Sequence, residues 1–200
     1  MKTVVLLSGG IDSTVLLAHC VKDSDQCHAI TFNYGQRAYQ REHHAASAVA
    51  DHYQIPHLLI NLPPVFGASA LLGTADMPTG HAEKPDTTTV PGRNLLMLAA
   101  AAALAQAHDY HTVMFGAIRD DRAGYADCRW QFIEAANDAT YYGSNRQVTI
   151  AAPLTAMTKA QVIAHGRELD APLHLTWSCY TAGPEPCGVC GACQLAKAAL

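Results

Sequence analysis

Short runs of apolar residues alternate with segments of helical periodicity along most of the chain. The strand-like runs are residues 4–7, 28–34, 58–62, 112–116 and 148–151. One helical segment starts directly after Gly10. Four others cover residues 36–53, 94–107, 130–142 and 158–169, and Thr158 is a candidate cap for the last. Strands that alternate with helices in this way form parallel sheets covered on both faces. The alternation therefore predicts an α/β fold, with a parallel sheet as the middle layer of a three-layer sandwich.

Two segments interrupt the alternation. Residues 63–92 contain five Pro and four Gly with little periodicity, which is typical of a flexible insertion or an active-site flap. Residues 172–200 are rich in Gly and Cys. We therefore expect a main domain at residues 1–171, which includes the flap, and a small C-terminal segment at residues 172–200.

The composition excludes several classes of protein. Half of the 200 residues are hydrophobic and 15% are charged, as in a compact globular domain. The net charge is −4 and the 13 Lys and Arg are scattered singly, so we expect no direct contact with nucleic acid. The longest apolar run, residues 95–105, is shorter than the ~18 residues that a membrane helix needs. No signal-peptide pattern is visible, and we expect a cytoplasmic protein.

A glycine-rich loop stands where the first predicted strand meets the first helix. Its sequence is Ser8-Gly9-Gly10-Ile11-Asp12-Ser13. Free backbone N–H groups and the helix dipole favour an anion at a helix N-terminus, and glycines let those groups approach a phosphate closely. Asp12 can bind Mg²⁺ or cap the helix. The loop lacks the Lys of the Walker motif and the spacing of the dinucleotide turn, so it predicts a phosphate site of another kind.

Four cysteines lie within fifteen residues of the C-terminal segment. Their spacing is Cys179-x7-Cys187-x2-Cys190-x2-Cys193, with Gly and Pro between them. Four thiolates around a tetrahedral Zn²⁺ are the usual structural solution, and we expect one structural zinc. An iron-sulfur cluster is the alternative, but the bacterial ferredoxin run continues with a further Cys-Pro that is absent here. Cys20 and Cys27 are expected to be buried fillers, and the role of Cys128 stays open.

The loop resembles the pyrophosphate loop of the N-type ATP pyrophosphatases, also called PP-loop enzymes. Six separated motifs together resemble the 7-cyano-7-deazaguanine synthase (preQ0 synthase) family within that superfamily, over nearly the whole chain. These motifs are residues 8–14, 33–37, 90–94, 124–129, 176–180 and 187–193. The resemblance implies an adenine-nucleotide α-hydrolase-like fold, ATP cleavage between the α and β phosphates with Mg²⁺, and queuosine biosynthesis. The substrates it implies are 7-carboxy-7-deazaguanine and ammonia, which are joined through an adenylate and an amide to give the nitrile. It also implies a homodimer.

The resemblance further implies roles for individual residues. Asp12 and Arg93 are the expected catalytic residues, and Tyr34, Arg37, Asp121, Tyr125, Asp127 and Arg129 the expected substrate-binding residues. Cys179, Cys187, Cys190 and Cys193 are the expected zinc ligands. The expected ATP-binding residues are Leu7, Ser8, Gly9, Gly10, Ile11, Asp12, Ser13, Thr14, Val15, Leu16, Leu17, Arg93 and Asn94.

Three positions depart from the usual pattern of the family. Arg119 stands where a neutral or acidic residue is common, Ala126 replaces a Pro, and an Arg that usually follows the last cysteine is missing. These departures leave open the alternative that the enzyme stops at the amide. A tRNA-modifying PP-loop enzyme is a second alternative, although it requires a basic surface that this acidic chain lacks. The third alternative is a noncatalytic nucleotide-sensing or zinc-bridged module. Loss of catalysis should erase Asp12 or Arg93 first, and both residues are present.

Overall fold

Five parallel strands form one sheet in the computed structural model, which describes residues 1–73 and 85–199. The strands are β1 (Lys2–Leu6), β2 (Gln26–Asn33), β3 (His57–Asn61), β4 (Thr112–Met114) and β5 (Thr149–Ala151). Their spatial order is β3-β2-β1-β4-β5, and each neighbouring pair is parallel. The order changes direction between β1 and β4, and ligands of open α/β sheets bind at such a point, beyond the C-terminal ends of the strands.

Helices cover both faces of the sheet. They are α1 (Ile11–Asp23), α2 (Tyr39–His52), α3 (Pro85–Thr88), α4 (Arg93–Ala107), α5 (Trp130–Gly143), α6 (Lys159–Glu168) and α7 (Gly191–Ala199). Val4 of β1 packs into a core with α4 and α5, whereas the next residue, Val5, packs into a core with α1, α2 and α6. This alternation follows from the two-residue period of a strand. The predicted three-layer α/β sandwich is confirmed, with element bounds shifted by up to a few residues.

Two glycines allow the close contacts that position the N-termini of the helices. Gly9 has φ +80, and a Cβ there would lie 2.5 Å from the backbone oxygen of Glu42, so the loop before α1 lies directly on the start of α2. Gly166 brings α6 against α1, where a Cβ would lie 2.6 Å from Cγ2 of Val15. The starts of α1 and α2 therefore lie together after β1, and α6 packs along α1.

The C-terminal segment contains the helix α7, which the sequence did not predict. Gly191 begins this helix and two of the four clustered cysteines lie within a few residues of its start, so the composition favours turns and metal ligands although the apolar residues have helical periodicity. In the expected flap, residues 70–72 form a helical turn and residues 85–88 form α3, while residues 74–84 lie outside the described residues. Cys20 and Cys27 are both buried in the core, as expected. No helix in the described ranges is long and apolar enough to cross a membrane.

Candidate active site

A cavity of about 310 Å³ opens at the C-terminal edge of the sheet. Its walls come from the loop after β1, the ends of β2 and β4, the N-termini of α4 and α6, and the segment that leads to the cysteines. Expected site residues in the lining are Leu7, Ser8, Gly10, Ile11, Asp12, Ser13, Tyr34, Arg93, Asn94, Asp121, Tyr125 and Asp127. Residues from four separate stretches of the sequence therefore share one cavity.

The loop before α1 is folded by its own serines. Ser13 Oγ lies 3.0 Å from Ser8 Oγ, accepts the Ser8 N–H at 3.1 Å, and donates to the Gly10 carbonyl at 3.1 Å. Gly10 is the N-cap of α1 and supplies no side-chain cap. The N-terminal amides of α1 consequently keep donors for an anion at the positive end of the helix dipole.

Lys159 faces this loop from the start of α6. Its Nζ lies 2.7 Å from both carboxylate oxygens of Asp12, and its side chain is only 10% exposed. The backbone at Lys159 is held in place because its N–H donates to the Asp120 carboxylate at 2.8 Å. A capping box between Thr158 and Gln161 fixes the same turn. The sequence analysis identified the cap but not the lysine beside it.

Arg93 forms the opposite wall at the N-terminus of α4. Its Nη1 donates to the Tyr34 hydroxyl at 3.0 Å, and the charges of Asp127 and Glu42 act on it. Glu42 is a cavity residue that the sequence analysis missed, and Gln36 Nε2 donates to one of its oxygens at 2.9 Å. Burial raises the pKa of the Glu42 carboxyl, and the Gln36 hydrogen bond and the Arg93 charge oppose this rise. Arg93 is thus a half-buried guanidinium that Tyr34 holds at the wall of the cavity.

An acidic and aromatic group closes the side of the cavity beyond β4. It contains Asp121, Asp127 and Tyr125, whose hydroxyl lies 2.7 Å from Thr88 Oγ1. Cys128 lies beside the two carboxylates, and burial raises the pKa of its thiol to about 12. A thiol with this pKa is protonated at neutral pH and is not a nucleophile. The group offers carboxylate acceptors and a flat ring.

Asp121 gives a prediction for the pH dependence of stability. Burial, helped by the charge of Asp12, raises the pKa of its carboxyl from 3.8 to about 6. A carboxyl with a raised pKa binds more protons in the folded than in the unfolded state, so its contribution to stability is lost as the pH rises from about 4 to about 6. We expect Asp121→Asn to be more stable than the wild type by about 2–3 kcal/mol at pH 7, and similar to it at pH 4.

Thermal unfolding at several pH values measures this difference. The exposed Asp138 provides a matched control, because Asp138→Asn makes the same chemical change away from the cavity. An Asp121→Asn protein no more stable than the wild type at pH 7 would contradict the prediction.

Several expected site residues lie outside the cavity lining. Thr14, Val15, Leu16 and Leu17 are buried in α1, and Gly9 packs under the loop against Glu42. Arg37 is exposed, with its side chain beside Gly73, and its backbone N–H donates to Leu71. Arg129 is exposed and its Nε donates to the Arg122 carbonyl at 3.0 Å. The cavity therefore supports only part of the expected list.

The four clustered cysteines can hold a metal ion. Their sulfur atoms all lie within 4.8 Å of one another, a spacing that suits four thiolates around one ion. Cys179 Sγ also accepts backbone N–H groups from Thr181 and Cys187, at 3.5 and 3.3 Å. Such donors stabilise a thiolate and orient it toward a metal.

The cysteine segment is attached directly to the phosphate loop. The Trp177 N–H donates to the Gly9 carbonyl at 2.8 Å, and the Ile11 N–H donates to Ser178 Oγ at 3.4 Å. Arg41 of α2 lies over the Trp177 ring, 5.1 Å from its centroid. From this segment Trp177, Ser178, Tyr180, Ala192 and Leu195 line the cavity, and none of them was among the expected site residues. A metal at the cysteines would therefore hold one wall of the cavity.

Comparison with known proteins identifies close relatives of this chain. A family profile described as "Queuosine biosynthesis protein QueC" matches residues 2–200. A protein from Desulfotalea psychrophila named 7-cyano-7-deazaguanine synthase is 38% identical over 203 residues, which cover 99% of this chain and 93% of that protein. A protein of the same name from Nostoc sp. is also 38% identical, over 100% of this chain and 93% of its own length.

Solved structures share the fold at low sequence identity. An NMN synthetase from Francisella tularensis superposes with a TM-score of 0.56 at 23% identity, covering 86% of this chain and 63% of that one. A 4-thiouridine synthetase bound to RNA and ATP gives a TM-score of 0.54 at 16% identity, covering 98% of this chain and 49% of that one. This chain thus spans about half to two thirds of the length of these structures, and the likeness establishes the fold.

Proposed function

Because the chain belongs to the QueC family of queuosine biosynthesis proteins and is an ATP-dependent ligase, we propose that it makes 7-cyano-7-deazaguanine from 7-carboxy-7-deazaguanine and ammonia. One observation carries the proposal. A single cavity joins the N-terminus of α1, which suits phosphates, to a carboxylate and aromatic wall that suits a guanine-like base.

The ATP side of the proposed reaction uses the loop and Arg93. The loop amides and the hydroxyls of Ser8 and Ser13 bind the phosphates, and Arg93 stabilises negative charge from the opposite wall. Asp12 offers carboxylate oxygens to Mg²⁺, which would help to neutralise the phosphates. Asn94 lines the cavity beside Arg93 and contacts the nucleotide in this arrangement.

The substrate side uses the wall beyond β4. A 7-deazaguanine presents N–H and amino donors, and Asp121 or Asp127 accepts from this edge of the base while the Tyr125 ring stacks on its face. Tyr34 holds Arg93 toward the substrate carboxylate through the 3.0 Å hydrogen bond. Neither Arg37 nor Arg129 has a role in this arrangement, because neither lines the cavity.

The proposed chemistry proceeds in two activations. A substrate carboxylate oxygen attacks the α phosphorus, and pyrophosphate leaves. Ammonia then forms a C–N bond, and AMP leaves with the former carboxylate oxygen while the nitrogen loses a proton, which gives the amide. The amide oxygen then attacks the α phosphorus of a second ATP and pyrophosphate leaves again, after which loss of AMP and of the two remaining N–H protons gives the nitrile. The protein contributes positioning and charge stabilisation.

Two of the departures from the family pattern lie outside the cavity lining. Arg119 and Ala126 are both exposed and neither lines the cavity. This placement favours the nitrile over the alternative product, the amide. Because the cavity suits a free guanine-like base, the proposed reaction requires no tRNA substrate. One structural zinc per chain at the four cysteines and a homodimer complete the proposal.

The test is mass spectrometry of the products. Purified protein is mixed with 7-carboxy-7-deazaguanine, ammonium and MgATP, and we expect the nitrile together with AMP. Asp12→Ala should slow product formation by about a hundredfold, because the loop loses its carboxylate. Amide without nitrile would identify the amide-forming alternative, and the absence of both products would contradict the proposal.

A further inference from the structure

Lys159 is a buried cavity residue to which the proposed mechanism gives no role. Its ammonium group is 2.7 Å from both oxygens of Asp12, and this ion pair is its only one among the described residues. Lysines are almost never buried to this extent without a partner, because removing an ammonium from water costs several kcal/mol. In the free protein, a carboxylate of the phosphate loop therefore holds this charge.

The start of α6 aims the Lys159 side chain at the loop. Asp120 accepts the Lys159 N–H at 2.8 Å, and Thr158 Oγ1 accepts the Gln161 N–H at 3.2 Å. Gly166 packs α6 closely against α1, and the contact between Lys159 and Asp12 itself places the two helix N-termini side by side. The Lys159 backbone is thus fixed, while its flexible stem lets Nζ reach any group that occupies the space beside Asp12.

The charges of the cavity make the ion pair exchangeable. In the described lining, Asp12, Glu42, Asp121 and Asp127 are acidic, and Arg93 and Lys159 are the basic residues. A bound triphosphate adds several negative charges beside Asp12. A divalent cation that enters with it competes with Lys159 for the Asp12 oxygens, and the phosphoryl oxygens then offer Nζ a new acceptor.

We propose that Lys159 exchanges partners as the site fills, so that its Nζ pairs with Asp12 in the free protein and with a phosphoryl oxygen of the bound nucleotide. This inference rests on the proposed use of ATP. In the filled site the Lys159 ammonium stabilises the charge on the pyrophosphate that leaves. The ion pair also keeps Asp12 from repelling an incoming phosphate.

The experiment measures binding of inorganic pyrophosphate by isothermal titration calorimetry in magnesium-free buffer without a chelator, so that a metal ion at the cysteines stays in place. Lys159→Gln should weaken binding about tenfold or more, because a charge-assisted hydrogen bond is lost, and Lys159→Arg should retain part of the affinity. Asp12→Asn should tighten binding severalfold, because it frees Lys159 and removes a like charge. The control Lys22→Gln removes an exposed lysine of α1 and should bind as the wild type does.

The double variant separates partner exchange from simple repulsion. If Lys159 is the group released, the gain from Asp12→Asn shrinks to about twofold or less in the Lys159→Gln background. An equal gain in both backgrounds, or wild-type affinity in Lys159→Gln, would overturn the inference. Melting temperatures of all variants show whether the pair is only structural, in which case both single variants lose stability and neither gains affinity.

The inference and the proposed function can fail separately. Wild-type protein that makes the nitrile while Lys159→Gln binds pyrophosphate normally would refute the role of Lys159 alone. Wild-type protein that makes neither amide nor nitrile, but shows the opposite effects of the two variants, would support the role of Lys159 and refute the substrate assignment.

Discussion

Arg93→Ala is expected to lower the rate of nitrile formation about a thousandfold. Arg93 is the one basic residue on its wall of the described cavity, and it faces the N-terminus of α1 across the space in which the phosphates are proposed to lie. Its loss removes a planar guanidinium that can contact two oxygens of a phosphate or of the substrate carboxylate at once. Preorganised cations at a phosphoryl group contribute about 10³ or more to rate constants.

Kinetics of AMP and nitrile release give the effect, and Arg93→Lys tests its origin. Lysine restores the charge but not the planar pair of donors, so we expect Arg93→Lys to form the nitrile about tenfold faster than Arg93→Ala. Arg167→Ala, at an exposed position of α6, is the matched control and should retain full activity. The melting temperature is measured as well, because removal of Arg93 leaves Glu42 and Asp127 with less positive charge nearby, and the kinetic comparison is made below the melting temperature of every variant. An active, folded Arg93→Ala enzyme would contradict the proposed role.

The fold was predictable because burial leaves a periodic mark on the sequence. Val4 and Val5 enter opposite cores, and runs of this kind, repeated between helical segments, specify a covered parallel sheet. Helix α7 carries a periodic mark as well, but its first turn contains Gly191 and Cys193, which also suit a turn and a metal site, and that interpretation hid the helix.

The site was less predictable than the fold, because residues that lie far apart in the sequence meet in it. The expected ATP-binding stretch continued into Val15, Leu16 and Leu17, yet α1 lies between the sheet and α6 and buries all three in the core. Lys159 is 147 positions from Asp12, and only the packing of α6 on α1 brings them together. The position of Lys159 just beyond the last strand was the available signal, since open α/β sheets place ligands at that edge.

The contacts of the C-terminal segment turn a distant structural element into part of the site. Trp177 holds the carbonyl of Gly9, the residue whose positive φ shapes the phosphate loop, and Ser178 contacts the first residue of α1. Cys179 follows these residues immediately, so the position of its sulfur restrains them. A change in the metal cluster should therefore alter nucleotide binding as well as stability.

Cys190→Ala is expected to abolish activity and to release residues 177–199 from the main domain. Cys190 is 1% exposed, and its sulfur is one of four within 4.8 Å of one another. Loss of one of four thiolates removes most of the affinity of a structural zinc site, and the binding free energy of such a site is also folding free energy for the segment around it. No disulfide holds this turn-rich segment in the described part of the chain, because all its cysteines are free thiols.

Hydrogen exchange, metal analysis and ATP affinity together test this expectation. Zinc analysis should give one ion per chain in the wild type and none in Cys190→Ala, and amides of residues 177–199 should lose protection while those of β1 and β4 keep it. Cys27→Ala, which removes a buried thiol of β2, is the control that should lose some stability but keep its zinc. Because Trp177 and Ser178 leave the loop when the segment is released, ATP binding should weaken in Cys190→Ala and not in Cys27→Ala. Full ATP affinity in a zinc-free, unprotected segment would show that the phosphate loop holds its shape without this contact.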